Sequence, residues 1–258
     1  MLEAALWGFA GASSLLIGAV IGAKLRLPLP LVGLILALGA GTLISAVAFE
    51  LTEEAFALGG ADAVAIGLGA GGLAYFAGTV AISRRGGANR MAAGGRKDGD
   101  ASTALLLGAV LDGIPESAVI GITLLEGGEV GIAFLAAVFL SNLPEALASS
   151  QGMCDQGVGL RGVLARWTTV ALVSSAAAAI GYVALDGASN QTVGLLQAFA
   201  GGAVLTMLAD TMFPEAYLHV RGDPSLGRRR PERPLLEHSI GLLTTFGFAI
   251  AYLLSTLD

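Results

Sequence analysis

The fourteen Lys and Arg residues of this 258-residue chain are confined to every second gap between its apolar segments. Eight such segments are readable, at about 4–23, 30–51, 62–83, 102–124, 130–151, 163–185, 192–217 and 236–257. Lys24 and Arg26 lie in the first connection, and Arg84, Arg85, Arg90, Arg96 and Lys97 in the third. Arg161 and Arg166 lie in the fifth, and Arg221, Arg228, Arg229, Arg230 and Arg233 in the seventh. The even-numbered connections and both ends have none. Basic residues close to helix ends stay on the cytoplasmic side of a membrane. The pattern therefore predicts eight transmembrane helices with both termini outside, and it sets the direction of each.

Composition agrees. Hydrophobic residues make up 55% and charged residues 13%, against about 25% charged in a soluble domain. A bilayer core needs about 20 apolar residues per helix, so eight spans leave no room for a separate soluble domain. The expected fold is a single all-α polytopic membrane domain, residues 1–258, in the cell membrane. Its first segment has no basic leader and reads as a span, not a signal peptide. The Gly- and charge-rich stretch 84–101 is the cytoplasmic loop. The net charge of −6 is sorted by side, so the basic loops face anionic lipid headgroups and nothing favours nucleic acid. Cys154 is the lone cysteine, which excludes an internal disulfide and any Cys-based metal motif. Glycines at four-residue spacing, Gly18 with Gly22 and Gly67 with Gly71, predict closely packed helices. Such faces permit a homodimer without requiring one.

Two internal similarities stand out. The run Gly39–Ser45 and on to Phe56 resembles Ala200–Thr206 and on to Tyr217, offset by 161 residues. These are spans two and seven. Leu111–Ser117 resembles Leu140–Ala146, offset by 29, in spans four and five. Each pair is antiparallel by the charge rule, so both are inverted repeats: spans 1–3 against 6–8, and span 4 against span 5. Inverted repeats around interrupted helices mark secondary transporters.

The chemistry sits in spans four and five. Asp112 and Glu116 share a helix face, as do Ser141 and Glu145, with Asn142 beside them. An acid at mid-membrane costs about 2.5–3.5 kcal/mol, and Asp112, Glu116 and Glu145 make three. Pro115 and Pro144 have no N–H, so the carbonyls of Leu111 and Leu140 lose their helical donors. Each Pro-Glu step thus brings a bare carbonyl and a charge to one depth, an oxygen-rich set suited to hard or borderline divalent cations. Protonated carboxyl groups bridging two helices are the alternative, and a proton relay is compatible with transport. Glu50, Glu53 and Glu54 close span two on the outside, where acids concentrate cations or are simply solvated. Asp210 and Glu215, with Pro214, lie in the inward half of span seven and form a candidate inner exit. His219 and His238 border the last cytoplasmic loop and read as solvated. Met153, Cys154 and Asp155 form a weak cytoplasmic ligand cluster that loop chemistry explains equally well.

These residues resemble the ZIP (ZRT/IRT-like) metal transporters over the whole chain. That family carries His-Asn-x-Pro-Glu-Gly and His-Glu-x-Pro-Glu-Gly motifs in spans four and five. Here they read Asp112-Gly113-Ile114-Pro115-Glu116-Ser117 and Ser141-Asn142-Leu143-Pro144-Glu145-Ala146. The resemblance implies a divalent-metal permease with Glu116 and Glu145 as motif glutamates. Asp112 and Ser141 stand where the family has histidine, with Asn142 beside Ser141. It also implies a role near the inner exit for Glu215. Zinc, manganese, iron or cadmium is then the substrate, with no tightly bound cofactor. Loss of imidazole favours harder ions such as manganese or iron. Span six has no acid between Arg166 and Asp186, which argues against a second metal. A non-transporting sensor or a proton-linked carrier on the same fold is the alternative. An intramembrane enzyme is remote, because neither Gly-x-Gly-Asp nor His-Glu-x-x-His occurs.

Overall fold

The computed structural model describes residues 1–25, 27–84, 110, 113–124, 132–221 and 234–256. Every element among them is a helix, and no strand occurs among the described residues. Helix α1 spans Leu2–Lys24 and ends where Leu25 turns extended (φ −109). Pro28 caps α2, Leu29–Ala46, and a second proline lies in its first turn, where a missing N–H costs nothing. A π-helical stretch, Val47–Thr52, carries α2 without a break into α3, Glu53–Ile82. The remaining helices are α4 (Gly113–Leu124), α5 (Ile132–Asp155), α6 (Leu160–Leu185) and α7 (Asn190–Met207). A second π-helical stretch, Leu208–Met212, joins α7 to α8, Phe213–Arg221, and α9 is Pro234–Ser255.

Six of these runs are long and apolar enough to cross a membrane. The longest, Leu29–Ile82 with 54 residues, contains the only non-helical residue of α3: Gly60, at φ 73 and ψ −176. Only glycine adopts that backbone at low cost. The chain reverses there, and each part exceeds the about 20 residues that a bilayer requires.

Contacts at the glycines and between side chains give the helix directions. α2 and the start of α3 run antiparallel to α7 and α8. Gly33 meets Ala216 and Val220, Gly39 meets Met212, Val47 and Leu51 meet Gly201, and Ala55 meets Gly194. Beyond Gly60, α3 runs parallel to α7. Gly67 meets Leu195 and Ala198, Gly71 meets Phe199, and Tyr75 bonds Thr211. α9 lies parallel to α2, with Gly41 on the Thr244 carbonyl, Gly247 on the Leu38 carbonyl and Phe49 against Phe248 and Tyr252. α1 lies parallel to α5, with Gly18 on the Leu143 carbonyl and Gly22 on that of Leu147. α4 lies parallel to α6, where Gly113 meets Ser174 and Gly181 meets the Ala118 carbonyl. α5 and α6 form an antiparallel hairpin. Gly157 (φ 89) turns the chain, the Val158 N–H reaches the Met153 carbonyl at 3.0 Å, and Trp167 Nε1 donates to Ser150 at 2.8 Å. At most of these crossings a Cβ on the glycine would strike backbone of the facing helix. Small residues are what allow such approach between apolar helices.

The helices depart from the sequence expectation at one point that matters. Span two does not end near Leu51 but stays helical to Gly59, about two turns further. Acids do not stop a helix; it stops where the backbone changes, at Gly60. Glu50, Glu53 and Glu54 therefore lie within a continuing helix.

Candidate functional site

α5 stays helical through Pro144 to Asp155, so Ser141, Asn142 and Glu145 stand on one continuous helix. Pro144 has no N–H to give the Leu140 carbonyl. Ser141 and Asn142 are buried, at 2% and 7% exposure, and Glu145 is half-buried. The Ser141 hydroxyl donates back to the Val138 carbonyl at 2.9 Å.

On α4, Glu116 is 2% exposed and its neighbour Ser117 is buried. Gly11 of α1 fixes the register of α4 against α5. The side chains of Ile120, Leu135 and Val138 all converge on the space where its Cβ would be, at 3.2, 3.2 and 3.7 Å. α4 and α5 are antiparallel. One turn back from Ile120 is Glu116, and one turn on from Val138 is Asn142. Glu116 thus lies at the level of Ser141 and Asn142, inside a bundle of apolar helices. Asp112, and the carbonyl of Leu111, lie outside the described residues.

A third and a fourth helix reach the same place. At Gly39 of α2, the position of a Cβ is 3.0 Å from the Ser141 Cα, 3.1 Å from the Leu140 carbonyl oxygen and 3.2 Å from the Met212 methyl carbon. The Gly39 carbonyl is held by the Thr42 hydroxyl at 2.7 Å. The proline-exposed carbonyl of α5 therefore faces a notch floored by glycine and walled by methionine. Among the described residues, no three His, Cys, Asp or Glu side chains gather in a cation cage. A cation here would draw on Glu116, Glu145, the Asn142 amide and carbonyl oxygens.

Glu53 is exposed, whereas Glu50 and Glu54 are half-buried. Glu54 accepts a hydrogen bond from Nε2 of Gln197 at 3.1 Å, and Gln197 is wholly buried. At the other end of the same helix pair, Asp210 is exposed on the π-helical stretch and Glu215 is half-buried on α8. Thr211, between them, pairs its hydroxyl with that of Tyr75 at 3.2 Å. His219 is not a loop residue: it is half-buried, its Nδ1 lies 2.9 Å from the Glu215 carbonyl and its Cβ packs on Gly33. His238 is exposed. Met153 is buried among Trp167 and its apolar neighbours, Cys154 is half-buried and Asp155 is exposed, so these three do not make a joint ligand set. The roles of Gln197, Tyr75, Thr211 and Met212 are not readable from the chain. Gln197 and Tyr75 are each a lone polar residue in an apolar run, and their partners, Glu54 and Thr211, are far along the chain.

Comparison with models of known protein families and with curated proteins finds no match.

Proposed function

We propose that the chain is a divalent-metal permease of the ZIP-like kind its Pro-Glu motifs resemble, with eight crossings arranged as inverted halves in a cell membrane. The observation that carries this is the buried Glu116, placed level with Ser141 and Asn142 and one turn from Glu145, deep in a bundle of membrane-length helices. A carboxylate at that depth costs about 2.5–3.5 kcal/mol uncompensated, and a bound cation offsets it. Buried ionisable groups in such bundles line substrate paths.

Three features support the inverted halves. The bounds of α2 and α7, Leu29–Ala46 and Asn190–Met207, repeat at the offset of 161 seen in the sequence, and so do the starts of the π-helical stretches, Val47 and Leu208. The contacts repeat with them. Gly41 on Thr244 with Leu38 on Gly247 corresponds to Gly202 on Leu68 with Phe199 on Gly71. Gly22 on Leu147 corresponds to Gly181 on Ala118, where Leu147 and Ala118 differ by the motif offset of 29. Helix directions also fit alternate crossing. Spans one and five, two and eight, three and seven, and four and six are parallel pairs. An odd-numbered span is antiparallel to an even-numbered one in each other pair whose direction the contacts define.

In this reading the ion passes Glu50, Glu53 and Glu54, binds among Glu116, Asn142, Ser141 and Glu145 with Asp112, and leaves past Asp210 and Glu215. One set of helices rocks against the other to alternate access. The test is uptake of manganese, iron, zinc, cadmium and magnesium into proteoliposomes, in parallel with a Glu116→Ala/Glu145→Ala protein. Uptake of one or more of these ions, lost in the double variant, is expected. A folded wild-type protein that binds an ion but carries none would overturn the permease in favour of a sensor.

A further inference from the structure

We infer that Met212 sets the ion preference of the transport site, by presenting a thioether to the cation beside the Leu140 carbonyl. The inference rests on the permease reading above. Met212 is the last residue of the π-helical stretch in span seven and is only 6% exposed. Its side chain crosses to α2 and ends in the Gly39 notch. There its methyl carbon and the Leu140 carbonyl oxygen both border the space that a Gly39 side chain would take, at 3.2 and 3.1 Å from the Cβ position. The sulfur is one bond from that methyl. Any residue larger than glycine at position 39 would fill the notch and part the two groups.

The consequence for selectivity is chemical. Carboxylate, amide, hydroxyl and carbonyl oxygens are hard donors that suit manganese, magnesium and iron. A thioether is soft and polarisable and prefers cadmium, zinc or cuprous copper. One soft donor in a wall of oxygens shifts preference toward the softer ions, against the direction that loss of the motif histidines implies. The preceding residues account for its placement. The π-helical stretch carries one residue more per turn than an α-helix, so it rotates the helix that follows, and Met212 closes that stretch.

The experiment uses the full chain in proteoliposomes and measures cadmium and manganese uptake in competition, for wild type and for Met212→Leu. Leucine keeps the apolar bulk and removes the sulfur. The expected result is a fall of at least about tenfold in the cadmium-to-manganese uptake ratio; tenfold corresponds to about 1.4 kcal/mol of discrimination. An unchanged ratio, or an equal loss for both ions, makes Met212 a packing residue and overturns the inference while leaving the permease intact. A wild-type protein that moves none of manganese, iron, zinc, cadmium and magnesium overturns the permease reading and the inference with it. Should Met212→Leu fail to fold, cadmium-edge X-ray absorption of a Cys154→Ser protein decides. With the only thiol removed, a sulfur neighbour at the metal supports the inference and an all-oxygen shell overturns it.

Discussion

Gly41→Ala is expected to destabilise the protein, and Gly241→Ala is not. A Cβ on Gly41 runs into the Thr244 carbonyl oxygen and comes to 2.8 Å from the Thr244 carbonyl carbon and 2.9 Å from the Phe248 nitrogen. These are backbone atoms, and no rotamer change moves them. α2 and α9 must part, and the neighbouring contact of Gly247 with the Leu38 carbonyl opens as they do. Over-packing costs about 1–3 kcal/mol, of which the better helix propensity of Ala returns about 0.5–1. The net loss is about 0–2.5 kcal/mol. Gly241, on α9 itself, has nothing within 4 Å of its Cβ position. Only the propensity gain remains there, about 0.5–1 kcal/mol.

Gly202 extends the test to the proposed repeat. Its Cβ strikes the Leu68 carbonyl of α3, 2.7 Å from the carbon and 2.8 Å from the Cα. If the halves are equivalent, Gly202→Ala loses as much as Gly41→Ala, within about 0.5 kcal/mol. Thermal unfolding in one detergent, followed by helical circular dichroism, measures all three. At about 2–4 °C per kcal/mol for a chain of this size, Gly41→Ala and Gly241→Ala melt about 2–12 °C apart. A Gly241→Ala protein that melts as early as Gly41→Ala refutes the close-approach argument. A Gly202→Ala protein that melts with wild type refutes the close-approach argument at that crossing and the equivalence with it.

Two further outcomes follow from single hydrogen bonds. Gln197→Leu removes the donor to Glu54 and is expected to cost about 1–3 kcal/mol, because a half-buried acid loses its amide; a denaturation midpoint equal to wild type contradicts it, while Glu54→Gln in the same background should recover part of the loss. Ser150→Ala leaves the buried Trp167 N–H without its acceptor, which predicts a loss of about 1–2 kcal/mol and a shift in tryptophan emission; Trp167→Phe/Ser150→Ala should lose less than the two single changes summed.

The sequence exposes the apolar helices because their length and hydropathy are local properties. It also exposes the Pro-Glu units and the 161-residue offset at which α2 and α7 begin and end. Other features have no local signature. The π-helical stretches Val47–Thr52 and Leu208–Met212 are not visible in composition, since one extra residue per turn changes no hydropathy average. The helix running past Leu51 was hidden by Glu53 and Glu54, whose charges look like a membrane boundary. The backbone change at Gly60 is what ends the helix. Gln197 and Glu54 are 143 residues apart, and neither predicts the other. Met212 reads as core, and its place at Gly39 depends on the crossing of two helices. Asp112 lies outside the described residues, so that part of the site rests on the chain alone.

In the proposed transporter, equivalent backbones at the two mouths would not by themselves distinguish outside from inside. The side chains do. Glu54 and Glu215 fall at the same offset of 161 in their halves. Opposite Glu54 stands Gln197, fully buried and donating. The residue equivalent to Gln197 is Leu36, 1% exposed and with nothing to donate. One turn beyond Glu215 stands His219, whose ring lies on the Glu215 carbonyl, and its equivalent in the other half is Leu58. An amide replaces a leucine at one mouth and an imidazole replaces a leucine at the other. The amide donates to a carboxylate, whereas the imidazole nitrogen faces a backbone carbonyl, to which it can only donate. At one end a buried amide donates to the Glu54 carboxylate and at the other an imidazole bonds the Glu215 backbone carbonyl, so the matching helices of the proposed transporter do not end in equivalent mouths.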